Sequence, residues 1–550
     1  MRAKGWKIFT MAFMAVAVAG LVFSGPALAQ WSADISQNMA VVKEIYTQSY
    51  PSIIHDGKGG YFVVWHDKRN CDTTGRAIYA QYYNSDGVAQ WPANGLQVVD
   101  NPGGQKKPDV VLDGAGGIVV MWTDSNQGQI AAQRINAQGQ KLWAPEGVVA
   151  IDDDQDCVAR GAADGSGGII VANNNGHINR IAGDGTLPWT PADEPIEIAG
   201  GNDTYGRQII SDGAGGAIVV WQDGEIAIQR ISANGQLLWG EENNLPNFVE
   251  GGRSPVYLTD TDYSSSCPRL IPDGAGGAIV IWLSYGDYKY DAWLYAQRVN
   301  AAGQAQWFAP DNGGGVAQMN GAPGGILVFE GDVDSDSHDL ATDGQGGAFI
   351  RFGDWYGGGY YESRGGEGDF PALMQPMGSL FIHRILANGT LAWECPTGVD
   401  DGSYDFSDNP MSTKITSDGQ GGAITVWATD NDEIRVQRVN AQGEIRWDEG
   451  GVVIRDNSSD EYAHCPSITS NGLGGAVAVW VDERDYYNTP PTNGNEIPGT
   501  SATYEEDIYM MAINAFGQVG NPGWVPPHVQ EALAAYFKDN MISCFINALK

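Results

Sequence analysis

The sequence predicts an all-β protein in which eight copies of one small antiparallel sheet close into a ring. Three observations carry that prediction. An Asp-Gly-x-Gly-Gly element begins at Asp56, Asp113, Asp164, Asp212, Asp273, Asp343 and Asp418, with a near-copy at Asn471. Its spacing of 48 to 75 residues is that of a supersecondary unit stacked many times. A Gly followed four residues later by Trp recurs in step with it, at Gly87/Trp91, Gly139/Trp143, Gly185/Trp189, Gly235/Trp239, Gly303/Trp307, Gly389/Trp393 and Gly443/Trp447. The composition (75 Gly, 18 Trp, 23 Tyr and 15 Phe in 550 residues) joins turn formers to aromatics, which suits strands and tight turns and argues against disorder.

At the N-terminus, Arg2, Lys4 and Lys7 precede an almost wholly apolar run, residues 8–23, and Ala27-Leu28-Ala29 forms a small-residue cleavage site before Gln30. Residues 1–29 therefore read as a signal peptide cleaved after Ala29, and the expected location is secreted, periplasmic or on the cell surface. No later stretch is apolar enough to span a bilayer. The chain without those residues carries 28 basic and 67 acidic side chains, a net −39. Such a charge argues against nucleic acid or an anionic membrane as partner and suits cations or solubility outside the cell.

Residues 208–239 show how one repeat folds. Gln208–Ser211 is a short strand, Asp-Gly and Gly-Gly supply a tight turn, and Ala217–Trp221 is a second strand. A polar break at 222–225 leads to a third, Ile226–Ile231. Ala233-Asn234-Gly235 turns the chain again, and Gln236–Trp239 is expected as the fourth strand. One four-stranded sheet cannot bury both faces, but eight arranged radially can, which is an eight-bladed β-propeller. A second aromatic set, Trp65, Trp122, Trp221, Trp282, Trp427 and Trp480 with Phe352 in the sixth repeat, lies nine residues after the turn Asp or Asn in every repeat but the third, where Asn173 stands, and supplies packing between blades.

The segments QRINAQGQKLW (133–143), QRISANGQLLW (229–239) and QRVNAQGEIRW (437–447) resemble the tryptophan-docking repeat of quinoprotein-type propellers. The resemblance covers roughly residues 50–524 and implies a scaffold in which each Trp docks on the neighbouring blade. It does not extend to the cofactor, because the adjacent cysteine pair that embraces the quinone in that family is missing here. The repeats also look like those of large secreted bacterial proteins of unassigned role.

The ends predict how the ring closes. Trp31 and the later run Met39–Val42 match the Trp of the other repeats and the apolar segment that comes after it, whereas the last repeat reaches Trp524 and breaks at Pro526-Pro527. The N-terminal strand is expected to complete the last blade and so remove the exposed edges. The propeller then occupies 30–525. Residues 526–550 have helical spacing (Val529, Leu533, Phe537, Met541) and are expected to form a short amphipathic helix. Six cysteines permit disulfides in an exported protein, and ring closure would bring Cys71 near Cys465, an expected bridge.

All the length variation falls on one face. From the Trp-equivalent position to the strand-three Gln equivalent, the eight repeats span 16, 11, 6, 8, 15, 31, 10 and 31 residues, whereas the other turns are short and repeat with little change. Variable loops on a rigid frame are where binding usually resides. The candidate ligand-binding residues are therefore Tyr285, Tyr288 and Trp293 in repeat five, Asp354, Trp355, Tyr356, Tyr360, Tyr361, Glu362, Arg364 and Glu367 in repeat six, and Tyr486 and Tyr487 in repeat eight. Aromatic faces beside carboxylates suit sugars or a partner protein. In DVDSDSHDLATD the alternating Asp332, Asp334 and Asp336, with Asp339, are candidate oxygen ligands for calcium. His338 and His464 share an inter-blade position and could face a common axis. There is no G-x-S-x-G, H-E-x-x-H or Walker loop. The expected function is thus a secreted, non-catalytic propeller that binds extracellular protein or carbohydrate. The alternatives are an extracellular polysaccharide hydrolase or lyase on the same scaffold and a structural component of the cell envelope.

Overall fold

The computed structural model describes residues 31–44, 46–70, 75–99, 103–152, 159–198, 205–240, 253–259, 264–285, 292–308, 324–335, 337–354, 379–400, 402, 413–457, 462–484 and 506–523. These form eight four-stranded antiparallel sheets, one for each repeat. Blade 1 comprises Gln48–His55, Tyr61–Asp67, Ala77–Tyr83 and Leu96–Gln97. The first strands (Gln48–His55, Gln105–Leu112, Ala159–Ala163, Tyr205–Ser211, Ser264–Pro272, Asp339–Thr342, Thr413–Ser417 and Ala463–Ser470) each touch the first strands of both neighbours, and the eighth returns to the first. The molecule is an eight-bladed propeller with these strands innermost. Its core is a series of apolar layers between consecutive blades; one joins Val477, Val479 and Met510 of blade 8 to Val63, Trp65 and Tyr61 of blade 1.

Closure occurs as the ends predict. Met39–Val42 pairs with Asp507–Ile513 as the fourth strand of blade 8, with Met39 opposite Met510. The missing Trp comes from the N-terminal segment as well, since Trp31 donates its indole N–H to the Ser85 carbonyl of blade 1. Residues 1–30, Trp524 and 526–550, where the signal peptide and C-terminal helix are expected, lie outside the described residues.

The fourth strand is not where the repeat pattern placed it. Gln236–Trp239 forms only one bridge, Ile231 to Leu237, and the fourth strand of blade 4 is Val256–Tyr257, beyond the Trp. The outer edge of strand three is thus shared between two segments. The Trp hairpin covers its end, and the later strand pairs with Ala227 and Ile228 near its start. The reason lies in the next blade. Trp239 must turn outward to donate to the Ala301 carbonyl at 3.1 Å, so the chain leaves the ladder. Gln229 makes good the lost pairing by accepting from the Trp239 backbone N–H at 2.9 Å.

The same contact explains Gly235. It sits at φ +80°, and a Cβ there would lie 2.9 Å from Ile196 Cδ1 and 3.0 Å from Trp189 Cγ. Only Gly relieves both the backbone strain and the collision with the preceding blade's indole. Besides Trp189 and Trp239, six further indoles, including Trp31, meet the following hairpin in the same way.

Candidate functional site

The short, repeating turns build the seams between blades. In six blades the turn Asp pairs with the Arg of the Gln-Arg (in two blades Asn-Arg or His-Arg) dipeptide on strand three, at 2.7–3.0 Å: Asp113–Arg134, Asp164–Arg180, Asp212–Arg230, Asp273–Arg298, Asp343–Arg384 and Asp418–Arg438. The guanidinium Nη1 then donates to a hairpin carbonyl of the following blade, and the Trp of the same blade donates to that carbonyl too. Arg230 and Trp239 converge on Ala301 O at 3.0 and 3.1 Å, and Arg438 and Trp447 on Ala515 O at 3.2 and 3.3 Å. The other Asp oxygen caps its own turn, as Asp212 Oδ1 does by accepting from the Ala214 and Gly216 N–H groups. In blade 1 Tyr82 takes the Arg position and donates to Asp56 at 2.9 Å, and in blade 8 Ala512 occupies it. The recurring residues of the motif are thus occupied in assembly, and sequence reasoning missed the role of the Arg although QR stands in the quoted segments.

Strand direction puts the variable loops and the links between blades on the opposite face. The innermost strands carry a polar position four residues before each turn Asp or Asn: Ser52, Asp109, Arg160, Gln208, Arg269, Asp339, Lys414 and Ser467. All eight hold the same register against strand two, from Ser52 opposite Val64 to Ser467 opposite Val479. Lys414 Nζ lies 3.8 Å from Asp339 Oδ2, and half of the Lys414 side chain, 49%, is exposed. Asp339 favours the charged form of this ammonium, but burial and the cationic Arg269, Arg160 and Arg351 together outweigh it, and its pKa falls below the ordinary value. Arg160 belongs to blade 3 and Lys414 to blade 7, on opposite sides of an eight-membered ring, so these side chains converge on the axis. Burial acts to raise the pKa of Asp339, yet Lys414, Arg351, Arg269 and the Leu340 N–H hold it below the usual carboxylate range. Among the described residues, this repeat position therefore carries three cations, Arg160, Arg269 and Lys414, beside Asp109 and Asp339, inside a strongly acidic protein. That arrangement can receive an anionic group.

Toward the loop face five of the innermost strands shift register, and in four of them the shift carries a left-handed residue. Tyr50, Lys107, Cys267 and Cys465 adopt φ of +50 to +55°, each just before a proline (Pro51, Pro108, Pro268 and Pro466). Such a conformation costs a non-Gly residue about 1–3 kcal/mol and re-aims the strand. Its recurrence at one repeat position marks it as part of the scaffold, and the x-Pro pair five residues before the turn residue is the sequence signal for it.

The expected ligand-binding residues fare differently. Tyr285 and Trp293 lie half-buried at the loop-side ends of strands two and three of blade 5, and Tyr285 Oη sits 3.1 Å from Ser266 Oγ on the innermost strand. Asp354 ends strand two of blade 6 and is only 2% exposed, so it belongs to the interior. Tyr288, Trp355, Tyr356, Tyr360, Tyr361, Glu362, Arg364, Glu367, Tyr486 and Tyr487 lie outside the described residues. Of the expected calcium ligands, Asp336 also lies outside them, and Asp332, Asp334 and Asp339 do not gather their oxygens within 4.8 Å of one another. Cys71 is outside as well, while Cys465 is half-buried at its bulge. His338 and His464 do not share a position. His338 is buried and bonds Cys267 O through Nε2 at 2.6 Å, whereas His464 lies near Glu483.

Among the described residues no helix is long and apolar enough to cross a membrane. No family model matches the chain, and no curated protein matches it. Solved structures resemble it only remotely. A eukaryotic initiation factor aligns over 88% of this chain and 89% of its own at 9% identity, with a TM-score of 0.41. Dihydro-heme d1 dehydrogenase NirN aligns over 89% and 78% at 10% identity, with a TM-score of 0.36. A protein of unknown function from Dyadobacter fermentans aligns over 58% and 93% at 10% identity, with a TM-score of 0.30. At such distances none of these says anything about what this chain binds.

Proposed function

We propose that the protein is an exported, non-catalytic binding protein of the tryptophan-docking type, whose loop-bearing face takes an extracellular ligand with its acidic group on the axis. The observation that carries this reading is the gathering of Arg160, Arg269 and Lys414 on the innermost strands, among the described residues, in a propeller whose loops vary in length on one face only. A carboxylate of an acidic polysaccharide or of an acidic protein segment meets that chemistry, and the aromatic loops of repeats five, six and eight would hold the rest of it. The leader ending at Ala29 supports export.

The test is binding of the full chain to immobilised acidic and neutral polysaccharides and to acidic and neutral proteins. The expected result is selective retention of one acidic ligand, weakened at least tenfold by Arg160→Ala/Arg269→Ala/Lys414→Ala and by raised salt. Equal binding of neutral ligands, or no effect of the triple substitution, would overturn the reading. Glu362→Ala/Glu367→Ala reports separately on the repeat-six loop.

A further inference from the structure

We propose that His464, Glu483 and Glu506 form a divalent-metal site of the zinc type at the seam where blade 8 meets blade 1. The inference is independent of the axial ligand. The three residues come from three parts of blade 8: His464 lies in the first strand, Glu483 follows the second directly, and Glu506 directly precedes the third. One donor atom from each falls within 4.8 Å of the other two, and His464 Nε2 stands 3.9 Å from Glu483 Oε1. All three residues are half-buried, which leaves an approach from solvent.

The positions are held by the backbone. His464 pairs with Val481, and Asp482 with Asp507, so the ladders fix both carboxylate-bearing segments against the imidazole. Glu483 N donates to Tyr462 O at 3.0 Å, and Gln48 of blade 1 donates its N–H to Glu506 O at 2.7 Å. The second ring nitrogen of His464, Nδ1, lies 3.2 Å from Cys465 Sγ, which orients the ring with Nε2 toward Glu483. A partner on the far nitrogen is what metal-ligating imidazoles ordinarily have. The nearby guanidinium groups of Arg455 and Arg484 are engaged by Asp482, at 3.2 and 2.5 Å. Burial pushes the Glu506 carboxyl above its ordinary pKa, and the Lys68 ammonium only partly opposes that rise.

The donor set decides the class of ion. Calcium takes six to eight oxygens, whereas one imidazole and two carboxylates suit a zinc-type ion with donors at about 2.0–2.2 Å. Side-chain rotation of roughly an ångström brings the donors to that radius, and water completes the coordination. Because Glu483 and Glu506 bracket the long loop of repeat eight, a bound ion would tie its two ends to the innermost strand and to the seam.

The experiment titrates the metal-stripped full chain with Zn²⁺ by calorimetry, with Co²⁺ absorption as an independent readout of nitrogen ligation. One tight equivalent is expected, weakened at least tenfold by His464→Ala and by Glu506→Gln. Zinc at about 100 times the parent Kd should raise Tm by about 3 °C in the parent chain and by about half of that or less in the variants. Glu483→Gln and Glu506→Gln keep side-chain volume, so they decide the matter if His464→Ala fails to fold. Absence of a stoichiometric site, an unchanged affinity in the Gln variants, or equal competition by Ca²⁺ would each overturn the assignment.

Discussion

Asp212→Ala and Arg230→Ala should destabilise the ring unequally, and the inequality tests how the seam works. Asp212 has a side chain 2% exposed and serves two structures at once. Its Oδ1 accepts from Ala214 N and Gly216 N, both at 2.8 Å, and its Oδ2 accepts from Arg230 Nε at 3.0 Å. Removing it strands two turn N–H groups and leaves a guanidinium, only 16% exposed, without its counter-charge. Breaking a buried pair from one side costs about 3–5 kcal/mol, so about 4 kcal/mol is expected for Asp212→Ala. Arg230→Ala leaves the carboxylate with both turn donors and loses the pair and one bond to Ala301 O, for about 2 kcal/mol. For a ring of roughly 490 residues, the unfolding entropy near Tm is about 1 kcal/mol per degree, so Tm should fall by about 4 °C and about 2 °C. Scanning calorimetry of both single variants and the double variant gives the coupling, expected at about 1–2 kcal/mol because the pair exists only once. An Arg230→Ala loss as large as that of Asp212→Ala, or strict additivity, would show that the carboxylate does not join turn and seam.

Acid should weaken the fold well above the carboxylate range. Burial lowers the pKa of His66 and His338 to about 3 and of His383 to about 4, so the folded ring holds them neutral. The unfolded chain takes up these protons near pH 6.5, so their stability is complete above that pH and is lost as pH falls toward 3–4, about 2 kcal/mol per His by pH 5. Tm measured at pH 7 and pH 5 should differ by about 6 °C, and His338→Gln should remove about a third of that drop. An unaltered pH slope in His338→Gln would contradict the assignment. Trp31→Ala and Trp307→Ala should each cost about 3–5 kcal/mol, because both indoles are at most 5% exposed and each clamps a following hairpin. A neutral Trp31→Ala in urea unfolding would mean that the ring closes without it. Gly235→Ala should be more harmful than Gly224→Ala, whose Cβ would meet nothing within 4 Å although both sit at positive φ, and the difference isolates the indole contact.

What the sequence determined by itself is the unit and its count. The Asp-Gly-x-Gly-Gly turns, the Gly-to-Trp spacing and the orphan strand Met39–Val42 are local patterns, and chain periodicity fixes neighbours within one blade. Residue types also announced which face varies. The same local logic misled at Gln236–Trp239, where alternation near a turn reads as a strand but an indole owed to the next blade pulls the chain away. Asp354 looked like part of an aromatic loop, yet it closes a buried strand. Tertiary structure alone decided the rest. Arg160 acts electrostatically on Lys414 across the axis only because eight sheets close into a ring, and Arg230 and Trp239 share the Ala301 carbonyl only because the following hairpin is presented to both. His464, Glu483 and Glu506 converge through strand pairing, which sets distances that no spacing along the chain encodes.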